Sequence, residues 1–95
     1  MIITPTNGRI VWYTPDALSD PLVIHDKATP LAAMVVHVWG DRMVNLVVFD
    51  SDGYQHRRTS VTLVQDDDPK PSVGRYCEWM PWQLGQAKRH EESKA

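Results

Sequence analysis

An all-β fold is predicted: a small SH3-like barrel of about five mainly antiparallel strands, followed by a short C-terminal helix or tail. Two observations predict it. β-branched and aromatic residues gather in short runs, and Gly, Asp and Pro punctuate those runs at close intervals. Strands this short would leave exposed edges unless the sheet closes on itself. An OB-like barrel is the alternative, but it usually needs longer strands and often a helix between the third and fourth, and no such helix is visible.

The first strand is placed at residues 9–14, Arg9-Ile10-Val11-Trp12-Tyr13-Thr14, after a turn-rich entry carrying Pro5, Asn7 and Gly8, and Pro15 stops it. Prolines 15, 21 and 30 make the next stretch a loop, in which Leu22-Val23-Ile24 forms a short strand or a lid. Ala32–Trp39 and Arg42–Phe49 are two strand-like runs separated by Gly40-Asp41, which fits a two-residue hairpin turn with glycine first. A helix here would have to carry many β-branched residues and an internal glycine. Asp50-Ser51-Asp52-Gly53 is a second turn. Tyr54–Arg58 returns as a polar strand near an edge, and Ser60–Val64 alternates polar and apolar like a half-buried strand. Asp66-Asp67-Asp68-Pro69-Lys70-Pro71 is a charged loop, and Arg75–Trp79 is a short last strand. Residues 1–82 form the barrel domain. Pro81 suits a first helical turn, and residues 83–95 form a polar helix or tail.

Pairing across Gly40-Asp41 sets Trp39 opposite Arg42, Val38 opposite Met43 and Val36 opposite Asn45. One face then carries Met34, Val36, Val38, Met43, Asn45, Val47 and Phe49; the other carries Ala33, Val35, His37, Trp39, Arg42, Val44, Leu46 and Val48. Both faces are mostly apolar, so something must cover the second: the Pro15–Pro30 loop, the Trp79–Trp82 segment, or another copy of the protein. The same pairing brings the Arg42 guanidinium over the Trp39 indole.

Ninety-five residues, 42% of them apolar and 23% charged, suffice for one small core. Ten Lys and Arg against twelve Asp and Glu give a net charge of −2, unlike a dedicated nucleic-acid binder. The N-terminal residues lack the pattern of a signal peptide, and no apolar run is long enough for a membrane span. The single cysteine, Cys77, excludes an internal disulfide and multi-cysteine metal sites, and makes a reducing cytoplasm the default compartment.

No cofactor or metal is expected. His25, His37, His56 and His90 lack ligand spacing, although strand register can bring His56 towards His37. The aspartates of residues 50–52 and 66–68 read as turn chemistry, and Cys77 as a small buried hydrophobe. No nucleophile elbow or phosphate loop is present, so no enzyme activity is expected. The candidate binding residues are Trp39, Arg42, Arg57, Arg58, Trp79 and Trp82. Trp79 and Trp82 either close the barrel end and anchor the tail, or form a protein-binding surface. Arg57 and Arg58, with Arg42, Arg9 and Tyr54, make a local basic and aromatic surface for nucleotides or single-stranded nucleic acid.

Gly8-Arg9-Ile10-Val11-Trp12-Tyr13, Ala32–Val38, Val44–Asp50 with Gly53, and Tyr76-Cys77-Glu78-Trp79-Met80-Pro81 together resemble small proteins encoded by tailed bacteriophages and prophages. The resemblance spans residues 5–86. It implies a phage origin and brings no activity or site residue with it. The expected function is that of a non-enzymatic accessory protein acting by protein binding, chiefly to itself as a homo-oligomer, or to another phage or host protein. It would reside in the host cytoplasm or in the virion. The alternative is a module that captures nucleotides or single-stranded nucleic acid against host defence.

Overall fold

The computed structural model describes residues 2–16, 20, 22–72 and 74–94. The elements run β1 (Ile10–Thr14), β2 (Leu31–Gly40), β3 (Met43–Phe49), β4 (Gln55–Val64), β5 (Tyr76–Glu78) and α1 (Pro81–Lys94). The five strands close into one barrel in the order β1-β2-β3-β4-β5, the small SH3-like architecture that strand spacing predicts. With an odd number of strands a closed barrel cannot alternate direction throughout. The mismatch falls between β4 and β5, which run parallel, while the other neighbours are antiparallel. Residues 65–75 must therefore return along the barrel to start β5.

The core is filled from alternate strand positions: Val11 and Tyr13, Ala33 and Val35, Val44, Leu46 and Val48, Val61 and Leu63, and Cys77, with Trp79 closing one end. Leu22 and Ile24 pack against this core from the β1–β2 loop, and the Ser51 amide donates to the Val23 carbonyl. That segment is a cap without strand pairing. Ala17–Ser19 and Pro21 of the same loop lie outside the described residues.

The hairpin register departs from expectation. Gly40 pairs with Met43, so the turn is Asp41-Arg42, not Gly40-Asp41. Two bulges lie beside it, one between Val35 and His37 and one between Val38 and Gly40. Each slips the in–out alternation by one residue. Val38 consequently turns towards the core, while His37 and Trp39 move to the outer surface with Asn45. The polar run at 54–58 and the alternating run at 60–64 form a single strand, β4, broken by a third bulge opposite Asn45, where Ser60 takes a φ of 52°.

Asn45 holds the bulges on both its neighbours. Its Oδ1 accepts from Trp39 Nε1 on β2 at 2.9 Å and from the Ser60 amide on β4 at 2.8 Å. Asn45→Ala is expected to lower unfolding free energy by about 2 kcal/mol, two hydrogen bonds' worth. Urea denaturation checks this, and a loss below about 0.5 kcal/mol would mean the bulges stand without it.

α1 begins with Pro81 at its first helical position. Gln83 Oε1 accepts from the Met80 amide at 2.7 Å, the side-chain half of a capping box, and its Nε2 donates to the Ile10 carbonyl at 2.9 Å. A buried glutamine thus caps the helix and ties it to β1.

Candidate functional site

Of the six candidate residues, three are committed to the fold. Arg42 does not lie over Trp39. As a turn residue it points to the 65–68 segment and forms a two-pronged pair with Asp68, at 2.9 Å and 3.2 Å. That pairing is what raises the Arg42 pKa, and it lowers that of Asp68. The hairpin tip is further tied down where the Arg42 carbonyl accepts from the Leu63 amide and the Asp41 carbonyl from Gln65. The expected cation–π contact at the tip is therefore absent because the turn sits one residue later. Arg9 instead lies over an indole, that of Trp79, with 5.9 Å to the ring centroid.

Trp79 is buried in the core, where its Nε1 donates to Gln65 Oε1 at 3.1 Å. It closes the barrel end and offers no open surface. Trp82, on the first turn of α1, is 60% exposed.

Arg57 and Arg58 face opposite sides of β4. Arg58 turns into the barrel mouth, where Nη2 meets Asp20 Oδ1 at 2.5 Å and Tyr13 Oη donates to Asp20 Oδ2 at 2.5 Å. Burial pushes the Asp20 carboxyl up, but hydrogen bonds from Arg58 and Tyr13 outweigh it and leave its pKa below the usual range. Burial, reinforced by the neighbouring Asp20, raises the Tyr13 hydroxyl to about 12. Arg58 is thus a structural cation holding the β1–β2 loop, while Arg57 stays exposed on the other face of β4, and both reach a cleft along that strand's edge.

An exposed apolar stripe lies on the outer face of β2 and β3, apart from the exposed Ile2, Val23, Tyr54 and Trp82 elsewhere. Val36, Trp39 and Met43 are exposed there, with Met34, Val47 and Phe49 half-buried around them. The Trp39 ring packs edge-on to His37, centroids 4.5 Å apart. Because Asn45 satisfies the indole N–H, Trp39 presents mainly carbon to solvent. The expected register already set Met34, Val36, Met43, Val47 and Phe49 of this stripe on one face and misplaced only its Trp39, on the opposite one.

The titratable groups singled out from sequence are dispersed. His37 packs on Trp39, whereas His56 Nε2 meets Asp50 Oδ2 at 2.8 Å, so the two histidines share no pocket. Asp50 also accepts from the amides of Asp52 and Tyr54, a turn-building role. Burial pushes the Cys77 thiol up to about 12, which leaves it a poor nucleophile. Among the described residues no group of three His, Cys, Asp or Glu is placed to hold a metal ion.

A second feature was not expected from sequence. β4 has ten residues but β5 only three, so the parallel seam is short and β4 is uncovered below it. An open cleft of about 830 Å³ lies there, lined by Arg57, Arg58 and Arg75 with Asp16 and Asp20. The sequence spreads these groups over sixty residues, and only the barrel closure joins them. In comparisons with known proteins, no family model, no curated protein and no solved structure matches the chain.

Proposed function

We propose that this is a non-enzymatic accessory protein of phage type that acts by protein binding, with a second copy of itself as the occupant of the outer β2–β3 face. The observation that carries the reading is the uncharged stripe of Val36, Trp39 and Met43, left open by the chain's own loops. β3, which carries part of this stripe, is paired on both sides within the closed barrel, so contact at the stripe is made through side chains. Arg42, which lines the hollow beside Trp39 and Met43, is already paired with Asp68, and the stripe itself is uncharged. A neutral apolar surface of matching shape suits it, and a two-fold pairing supplies one from the same sequence. The bacteriophage resemblance of the strand motifs supports an accessory role in the host cytoplasm or the virion. No helix of the described residues is long and apolar enough to cross a membrane.

Sedimentation equilibrium at micromolar concentration is expected to show a dimer. Trp39→Ala should weaken it by more than about 2 kcal/mol, as a central interface tryptophan does. Arg42→Ala should leave assembly unchanged, since Arg42 belongs to Asp68. A monomer at every concentration overturns the proposal, as does a dimer indifferent to Trp39→Ala.

A further inference from the structure

The open cleft at the β4–β5 seam collects arginines from distant parts of the chain. Its three arginines against two aspartates leave a surplus of one positive charge among the described lining residues. The charges are not equivalent. Arg58 and Asp20 neutralise each other at 2.5 Å, which removes both from ligand chemistry. Arg57 is exposed and makes no side-chain hydrogen bond or ion pair among the described residues. Arg75 is exposed too. One of its donors is used, by Nη2 on the Thr59 carbonyl at 2.7 Å, and among the described residues its other donors make no hydrogen bond, although its charge also acts on Asp20 and Tyr13. Two exposed guanidiniums in one cleft suit an oxyanion, since each can donate two parallel hydrogen bonds.

A second hollow adjoins the first. Asp16 and Asp20 line both, and Arg75 of the cleft is followed directly by Tyr76 of the neighbouring groove. That groove, of about 470 Å³, holds Trp12 and Tyr76 on the outer side of the β1–β5 seam, beneath Ile24 and Pro30 of the loop. Trp12 pairs with Glu78 and Tyr76 with Thr14, so the two rings project from adjacent strands on the same face. The groove's Lys70 and Glu78 neutralise one another at 3.1 Å. The trough is therefore cationic at one end and aromatic at the other, on strands other than those of the proposed dimer stripe.

We infer that this trough is a binding site for a nucleoside monophosphate, the phosphate held by Arg57 and Arg75 and the base set against Trp12 and Tyr76. The groove volume lies within the range of small-ligand sites, and every base offers a planar face to an aromatic platform. Arg58 stays with Asp20 and takes no part.

Calorimetric titration of the full chain in low salt tests this with adenosine monophosphate, adenosine, ribose 5-phosphate and inorganic phosphate. The monophosphate is expected to bind at least about tenfold more tightly than any of the other three, because only it engages both ends. Arg57→Met and Arg75→Met should each weaken it about fivefold or more and leave adenosine unaffected. Tyr76→Leu should weaken the monophosphate and adenosine but not inorganic phosphate. Circular dichroism confirms that each variant is folded; Arg57 and Arg75 are exposed, and either one alone suffices for the test. Equal binding of inorganic phosphate and the monophosphate overturns the assignment. So does monophosphate binding indifferent to both arginine variants, or no binding of the monophosphate at millimolar concentration. Oligomeric state does not enter any of these readouts.

Discussion

Gln65→Leu is expected to destabilise the protein by about 3 kcal/mol. Gln65 is buried, and its side-chain amide makes four hydrogen bonds. Its Oε1 accepts from the Ile3 amide and from Trp79 Nε1, while its Nε2 donates to the carbonyls of Ile3 and Asp41. One side chain thereby joins the N-terminal segment, the hairpin tip and the tryptophan that closes the barrel. Leucine has similar volume but leaves all four groups without their partner. Those at Ile3 and Asp41 can turn to water at small cost, whereas the buried indole N–H cannot, and it bears most of the penalty. For a domain of this size the loss corresponds to a fall in Tm of roughly 15 °C. A double-mutant cycle with Trp79→Phe isolates the indole contribution: the two losses should fall short of adding. A Gln65→Leu loss under about 1 kcal/mol would show that the amide is not the junction described.

Arg58→Met should cost about 3 kcal/mol by leaving Asp20 charged and buried, its side chain 6% exposed. Asp20→Asn combined with Arg58→Met should recover part of that loss, since no isolated charge then remains. The pH dependence has a definite sign at each end. Asp20 titrates below its unfolded value of 3.8. Its contribution is complete above that pH and is lost as pH falls through the folded value. Tyr13, raised from 10.0 to about 12, contributes fully below pH 10.0 and loses that contribution as pH climbs to about 12. Urea midpoints across both ranges should show two declining limbs, and Asp20→Asn should blunt the acid one. An acid limb unchanged in that variant would remove Asp20 from the account.

Strand existence is legible in this sequence because β-branched and aromatic residues mark it locally. Closure is legible because so many short strands need it. The hairpin register is not. Gly40 attracts the turn by its conformational freedom, yet the bulges at Val36 and Trp39 move the turn to Asp41-Arg42. A bulge depends on what a neighbouring strand offers, here the Asn45 amide. An asparagine amid Met43–Phe49 is the one sign that a backbone group nearby needed a side-chain partner. The committed residues are hidden for a similar reason. Nothing near Arg58 announces Asp20, thirty-eight positions away, and nothing near Gln65 announces Ile3. Arg57 and Arg58 look like a pair in sequence, but alternation along a strand sends them to opposite sides.

The parallel seam also governs how the chain reaches this structure. β2, β3 and β4 form a meander whose pairings are local in sequence, whereas β1 must wait for β5, Trp12 for Glu78. Loop-closure entropy makes such a pairing late, so the transition state should hold the meander with both terminal strands still loose. During synthesis β1 emerges first and its closing partner nearly last. Until residue 78 is free of the ribosome, the open side of β1 and the Leu63–Val64 end of β4 are unpaired edges, available to another nascent chain. Crowded translation is thus the moment when this protein is most exposed to exchanging strands between copies, and the short β5 is the segment that ends it.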